Sequence, residues 1–391
     1  MSYVNTIFNQ LLDLLPRDKF QVFIGQHKSD RYVKKLSTWN QLTALLYAQA
    51  TGKESLRDIE TGLSVHVQNW YHLGIKSVSK STLSDANNRR DFHVFEELFY
   101  ALLNRCKILV PEGDFKFNNP LYSIDSTTIK LCLSLFDWAK FTHLKGALKL
   151  HTLLNNRSMI PEMIIVSDGK KGDLTAAKEM SLGELVPGSI VVFDRAYIDY
   201  SWWEKLGRDK LFFVSRTKKS LNLFVVGQHN KNELEENVLA DETVILGDFE
   251  AMEKHPEMEL RRIEYLDKES GKIYSFLTNN FELPASQIAY IYKQRWQIEL
   301  FFKWIKQNLS IKSFLGTSKN AVLSQIWIAM IYYLLLCYIK FQTKLKKSLL
   351  EFTRIVKETL MTRVNLIDLL SLAPQNVFKL QKIISPQLSF F

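Results

Sequence analysis

The sequence predicts an α/β protein: a mixed sheet flanked by helices, preceded by an all-helical segment and followed by further helices. Three observations carry this. Up to residue 110, apolar residues recur at helical spacing between capping residues. From Pro111, short apolar runs bounded by polar turns lead through one helix to another apolar run. Residues 221–280 then alternate strand-like runs with turn clusters before helical periodicity returns. The organisation expected is a helical module over 1–110, a core over 111–220 and 281–325, a β-rich insertion over 221–280, and a helical region over 326–391.

In the first module, NTIFNQLLDLL reads as a helix, followed by a polar break through IGQHKSD. A second helix, STWNQLTALLYAQATG, has Ser37 or Thr38 as N-cap and Gly52 as its stop. The segment from Ser79 opens with Ser and Thr caps, carries Arg89 and Arg90 at a helix end, and continues as an amphipathic helix from about His93 to Cys106. Helix N-termini and arginines facing phosphates would make this a DNA-docking module. A helical packing or dimerisation domain fits the same pattern.

The core begins with three strand-like runs, LYSIDSTT, IKLCLSLF and PEMIIVSD. A helix over about Leu174 to Leu185 leads to a fourth, SIVVFDRA. Strand, strand, strand, helix, strand is the order of an RNase H-like sheet. It sets Asp125 and Asp194 near strand ends, where a carboxylate leaves the sheet and meets a ligand. A helix around Tyr200 to Gly207 and the strand LFFVSRTK follow. The insertion contributes LNLFVVGQ, ETVILGDFE, LRRIEYLD and KIYSFLTNN, with turns such as KESGK. Beyond the core, SFLGTSKNAVLSQIWIAMIYYLLLCYIKF reads as a long buried helix and KLKKSLLEFTRIVKETL as a basic amphipathic one.

Composition bounds the chemistry. The 391 residues carry a net charge of +10, unevenly spread. Tyr292 to Phe391 holds fifteen Lys and Arg against four Asp and Glu, while residues 1–110 hold fourteen against ten, so the centre is net acidic. Basic flanks around an acidic centre fit a polyanion gripped at its sides, with carboxylates reserved for metal. Cys106, Cys132 and Cys337 have neither paired nor metal-ligand spacing, which points to a reducing, cytoplasmic setting. The N-terminus lacks the basic start and apolar run of a secretory leader. The longest apolar run, Ile326 to Ile339, is shorter than the roughly 20 residues a membrane span needs, so no membrane is expected.

The stretch YKQRWQIELFFKWIK, Tyr292 to Lys306, is the most informative. Counted as one helix at about 100° per residue, Tyr292, Arg295, Glu299 and Lys306 fall within about 60° of one another. Lys303 joins them, and Ile291, Ile298, Phe302, Ile305 and Leu309 form an adjoining apolar stripe. A solvated helix face with an ordinary Glu299–Lys303 pair fits the same spacing.

Taken with Asp125 in an apolar run and the Asp-Arg-x-Tyr element at Asp194, this Tyr-x2-Arg-x3-Glu-x6-Lys pattern resembles the DDE transposases of the insertion-sequence-four family. The resemblance runs from about Tyr122 to Gly316. It implies an RNase H-like core whose catalytic and metal-binding residues are Asp125, Asp194 and Glu299, with two Mg2+ or Mn2+ ions. Oxygen-only ligands select such hard cations. It further implies that Tyr292, Arg295 and Lys306 grip the terminal nucleotides of a transposon end. Trp296, Lys303, Arg195 and Tyr197 are further DNA contacts; core packing for Trp296 and a structural salt bridge for the Asp-Arg-x-Tyr element are the plainer readings. In members that cut the second strand through a DNA hairpin, an aromatic residue of the insertion stacks a flipped base. Here no Trp occurs between Trp203 and Trp296, which leaves Tyr274 or Phe276 for that place.

The activity implied is that of an insertion-sequence transposase. It would bind double-stranded terminal inverted repeats and target DNA and act as a homodimer on paired ends in the cytoplasm, on the nucleoid. A nuclease on the same fold, or a transposase-derived DNA-binding protein with idle chemistry, are the alternatives. Turn chemistry accounts for Asp168 and Asp173 beside Gly169 and Gly172. Asp137, His143, Lys145, Lys149 and His151 stay outside the catalytic set.

Overall fold

The computed structural model describes residues 4–110, 117–132, 136–142, 145–218, 220–229, 235–311, 313–345 and 347–371. The chain divides into two compact units, Met1–Pro111 with Lys306–Phe391, and Glu112–Ile305.

The helical unit starts with α1 (Ile7–Asp13), α2 (Arg17–Gln26) and α3 (Thr38–Thr51). Ser37 caps α3 by accepting from the Asn40 amide, and Gly52 ends it at φ +69°, a left-handed turn that suits glycine. The polar break expected through IGQHKSD starts later than anticipated, because Ile24 and Phe20 are buried and hold α2 helical to Gln26. Next come α4 (Leu56–Ser64), α5 (Trp70–Leu73), α6 (Lys80–Arg89) and α7 (His93–Lys107). Arg90 does not face outward from the end of α6. It is buried, donating to the carbonyls of Ser29 (3.1 Å), Ser37 (3.2 Å) and Leu36 and to Gln41 Oε1 (2.9 Å).

The second unit is built on one sheet. Its strands are β1 (Leu121–Leu131), β2 (Lys140–Thr142), β3 (Lys145–Asn155), β4 (Ile160–Asp168), β5 (Ile190–Val192), β6 (Phe212–Arg216), β7 (Leu223–Gln228), β8 (Val238–Leu246), β9 (Glu259–Asp267) and β10 (Lys272–Thr278). From one edge the order is β4-β3-β1-β5-β6-β10-β9-β8-β7, with the short β2 also on β3. Strand β3 lies antiparallel between β1 and β4, while β1, β5 and β6 run parallel. That is the RNase H-like arrangement, three antiparallel strands continued by two parallel ones. Helices α8 (Asp173–Glu179), α9 (Tyr200–Arg208), α10 (Phe249–Lys254), α11 (Ala285–Lys293) and α12 (Trp296–Asn308) accompany it, α12 belonging to this unit up to Ile305.

Four details differ from the sequence reading. LYSIDSTT and IKLCLSLF are not two strands: Leu121–Leu131 is continuous, since no turn residue interrupts Thr127, Thr128 and Ile129. The strand that pairs with β1 on one side is β3, KGALKLHTLLN, which the sequence reading passed over. The helix expected to reach Leu185 stops at Glu179, with a single 3-10 turn over Leu182–Glu184. The strands of residues 221–280 do not form a body apart; β10 pairs with β6, so they extend the same sheet.

The helical unit closes with α13 (Lys319–Gln342), α14 (Leu349–Thr359) and α15 (Leu366–Ser371). Among the described residues α13 is the one helix long and apolar enough to cross a membrane, and the apolar window is 94% buried, as in a core helix. Helix α14 opens with a Ser348–Glu351 capping box. Phe352 and Val356, on the apolar side of this helix, are buried within the unit, where α14 packs on α13 and α3.

Candidate active site

Strand register brings the two aspartates together. Ser123 on β1 is level with Val192 on β5, so two residues further along both parallel chains Asp125 is level with Asp194. Asp194 is still extended there, with φ −83° and ψ 174°, and neighbouring strands lie about 4.8 Å apart. Side chains alternate across the sheet. Val191 and Phe193 pack with Trp202, Trp203 and Leu206 on one face, whereas Leu121, Ile190 and Val192 pack with Ile288 and Ile291 of α11 on the other. Asp125 and Asp194 share the parity of Leu121 and Val192, which is the α11 face.

The helix that brings Glu299 is not the continuous one that the spacing predicts. Between α11 and α12 the chain makes a turn with i to i+3 bonds: the Arg295 amide donates to the Tyr292 carbonyl (3.0 Å) and Ile298 to Arg295 (3.1 Å). The Asn156 side chain donates to the Gln294 carbonyl at 2.8 Å and holds this turn. The angular count across Tyr292 to Lys306 therefore applies only from Trp296 onward, and Tyr292 belongs to α11. Glu299 sits in the first turn of α12, with Lys303 and Lys306 one and two turns on.

Arg295, at the turn, ties the site together. Its Nη1 lies 3.2 Å from Asp125 Oδ2 and its Nη2 2.6 Å from Glu299 Oε1. The Nε has no hydrogen-bond partner although it is buried. Burial opposes its charge, but Tyr292, Glu299 and Asp125 outweigh burial and raise its pKa. Asp125 is under-compensated. Burial pushes its carboxyl up to about 6, against the amide of Ser126 and the Arg295 guanidinium, while Asp194 and Glu299 push it the same way as burial. Asp194 Oδ1 accepts from the Ala196 amide at 2.7 Å.

The remaining residues singled out in the sequence take varied places. Tyr197 is 2% exposed, packed against Phe193 and Trp202 rather than presented to a nucleic acid, and its buried hydroxyl has no partner. Burial first, then Asp125, Asp173 and Asp194, drive its pKa up. Arg195 and Lys303 are exposed and Lys306 is half-buried. Trp296 is 58% exposed, not packed in the core. It borders a cavity of about 330 Å3 with Arg216, Tyr265, Tyr274, Phe276 and Tyr292. Within it the Arg216 guanidinium lies 4.9 Å from the Tyr274 ring centre, and Phe276 and Tyr292 are 5.0 Å apart.

A second polar cluster lies one residue along β1, and sequence reasoning missed it. Ser126 Oγ donates to Asp173 Oδ1 (2.7 Å), which also takes Lys149 Nζ (3.1 Å) and faces His151 Nδ1 at 3.5 Å. Burial pushes the His151 imidazole down to about 4. The signal was a His inside the apolar alternation of KLHTLL. Turn chemistry accounts for Asp168, whose Oδ1 accepts from the amides of Lys170 and Lys171, but not for Asp173. His143 and the side chains of Asp137 and Lys145 lie outside the described residues.

Among the described residues no three His, Cys, Asp or Glu side chains stand close enough together to share an ion. Asp125 and Glu299 instead meet on one guanidinium. Their donor set nevertheless fits a hard divalent cation: it is all carboxylate oxygen, two of the three acids come from parallel strands, and one arginine leaves the Asp125 carboxyl raised.

Comparison with known proteins places the chain in a family. Residues 117–335 match the model of the transposase DDE domain, and residues 4–76 match a domain of unknown function. The protein named transposase y4zB of Sinorhizobium fredii is 35% identical, over 73% of this chain and 79% of its own length. A Geobacillus stearothermophilus protein named as a transposase for insertion sequence element IS5377 is 26% identical, over 72% of this chain and 74% of its own. A Synechocystis protein named as a transposase for insertion sequence element IS4SA is 27% identical, over 67% and 72%. The chain belongs to the DDE transposases.

Proposed function

We propose that this chain is an insertion-sequence transposase whose reacting centre is Asp125, Asp194 and Glu299. The observation that supports the assignment most is the parallel register, in which Asp125 and Asp194 each follow by two residues the paired Ser123 and Val192, with Arg295 joining Asp125 to Glu299. In this reading the protein recognises terminal inverted repeats, frees a 3′-hydroxyl by hydrolysis, and directs that hydroxyl onto target DNA. Its place is the cytoplasm, on the nucleoid.

Two Mg2+ or Mn2+ ions, bound through Asp125, Asp194 and Glu299, would supply the charge that activates the attacking oxygen and stabilises the leaving one. The chain's own residues do the rest. Arg295 offers a planar fork to phosphate oxygens once it leaves the carboxylates, and Lys303 and Lys306 add point charges along α12. Tyr197 and Arg195 border the strand end that carries Asp194. The aromatic cavity beside Tyr292 and Trp296 receives an unstacked base at the cut end, with Tyr274 and Phe276 as its walls. Two copies act on two paired ends, since one centre per chain must serve two cuts.

Cleavage of inverted-repeat DNA in Mg2+ tests the assignment. Asp194→Asn and Glu299→Gln are expected to abolish cutting while end binding persists. Near-normal cutting by either variant removes that residue from the centre.

A further inference from the structure

Helix α6 has two unlike faces. Leu83, Ala86 and Asn87, with Arg90 just beyond, are buried, and their spacing of three and four is that of one helical side. The side chains of this face are locked: Gln41 donates to Asn87 Oδ1 (2.9 Å) and accepts from Arg90 (2.9 Å). The opposite side, Ser81, Ser84 and Asp85, carries only short polar groups, and it ends at Asn88, whose Oδ1 accepts from the Ser318 hydroxyl (2.7 Å). A merely solvated helix face is usually rich in Lys and Glu; short hydroxyl, carboxylate and amide groups are the size and chemistry that reach base edges.

Clefts flank that face on both sides. One, of about 730 Å3, is walled by Lys28, Arg31, Tyr32, Lys34, Lys35 and Arg89. The other, of about 640 Å3, has Arg57 and Lys80 beside Ser81 and Ser84, and Asp85 lines both. The basic loop of the first cleft is built, not loose. Arg90 takes the carbonyls of Ser29, Leu36 and Ser37, and Asp30 Oδ1 accepts from the Thr38 amide (2.7 Å) and hydroxyl (2.8 Å). Lys28 and Tyr32 adopt φ of +50° and +61°, and Tyr32 is 87% exposed. Five consecutive residues, Arg31 to Lys35, thereby face solvent with three cations among them.

We infer that α6 is the helix by which this protein reads duplex DNA, its polar face turned to base edges while the clefts on either side hold the two phosphate backbones. The inference rests on the transposase reading and names the surface that would recognise the ends. Dimensions agree: a helix with side chains is about 10–12 Å across, and the major groove of B-form DNA about 12 Å wide. Double-stranded RNA is disfavoured, because its major groove is too narrow and deep for a helix.

The test uses the full chain and fluorescence anisotropy with labelled end DNA, a scrambled duplex and a duplex RNA of the end sequence, across a salt series. Replacing Lys34, Lys35 and Arg89 by Ala should weaken binding to both DNA duplexes alike and flatten the log–log salt slope by roughly 2 to 3, near 0.9 per lost contact. Ser84→Ala with Asp85→Ala should keep the slope but cut the preference for end over scrambled DNA about fivefold to a hundredfold. Lys254→Ala, on α10 of the other unit, is the control and should change neither. All these side chains are at least partly exposed, so matched thermal melts check that folding is intact. End affinity, slope and preference all unchanged in both variants, in a protein that still binds end DNA, overturn this surface alone; tighter binding to the RNA duplex does the same. An unmodified protein with no affinity for end DNA overturns the transposase reading with it.

Discussion

Two arginines in the sheet unit, Arg261 buried and Arg295 half-buried, show how this molecule separates structure from chemistry. Arg261 on β9 and Asp241 on β8 are each 1% exposed and pair through two bonds of 2.7 Å. Arg261 Nη1 also donates to the carbonyls of Leu283 (2.6 Å) and Asn280 (3.3 Å). Arg295 touches two acids by one bond each, has a buried Nε without a partner, and leaves Asp125 raised to about 6. The first arrangement is saturated and has no use for a ligand. The second holds charge that a cation and a phosphate would complete, and the buried Tyr197 hydroxyl beside it is equally unsatisfied.

The largest effect should come from the acids around Arg295. Asp125→Asn is expected to lower cleavage by about a thousandfold or more, since several kcal/mol of transition-state stabilisation is lost with a metal-binding carboxylate. Its unfolding in urea should show no loss of stability. A loss of several kcal/mol there would instead place Asp125 with the saturated kind of group.

Next in size is Arg261→Met. It leaves Asp241 buried and unpaired, which should cost about 3–5 kcal/mol in urea unfolding, and Asp241→Leu in the same chain should recover most of it. A cost below 1 kcal/mol would erase the contrast. Arg295→Met should cost no more than about 1 kcal/mol, because its partners are partly exposed, yet it should impair strand cutting.

The pH dependence is a finer probe. Asp125 has a folded pKa near 6 against an ordinary 3.8, so its protonated form is favoured by the fold. Without metal this group contributes stability below 3.8 and loses it as pH rises through about 6. For Mn2+ the sign reverses. The proton competes with the cation, so affinity measured by titration calorimetry should be flat above pH 6 and fall up to about tenfold per unit below it. An affinity independent of pH between 5 and 7 would show that Asp125 is not a ligand.

Much of the site was legible because its residues follow local rules. Asp194 ends an apolar run, although Asp125 lies inside β1 rather than at a strand end, and Glu299 and Lys303 share a helix with an apolar stripe. What escaped depends on partners far away in sequence. Nothing in YKQRWQ signals a break, as it contains neither Gly nor Pro; the turn is held by Asn156, more than a hundred residues earlier. Strand β3 escaped because KGALKLHTLLN mixes cations and a His into its apolar alternation, and Lys149 and His151 find their partners far off, in Asp173 of α8, the Lys171 carbonyl before it and Ser167 on β4. That the strands of residues 221–280 extend the sheet depended on β6 meeting β10, a pairing no local pattern encodes.

Asp125, Asp194 and Glu299 should hold a divalent cation where the Arg261–Asp241 pair holds none. Crystals grown in Mn2+ and measured at the manganese absorption edge decide between them. Anomalous signal is expected bounded by Asp125, Asp194 and Glu299, lost in Asp125→Asn, with none near Asp241. Manganese bound elsewhere, with Arg295 still joining Asp125 to Glu299, would contradict it.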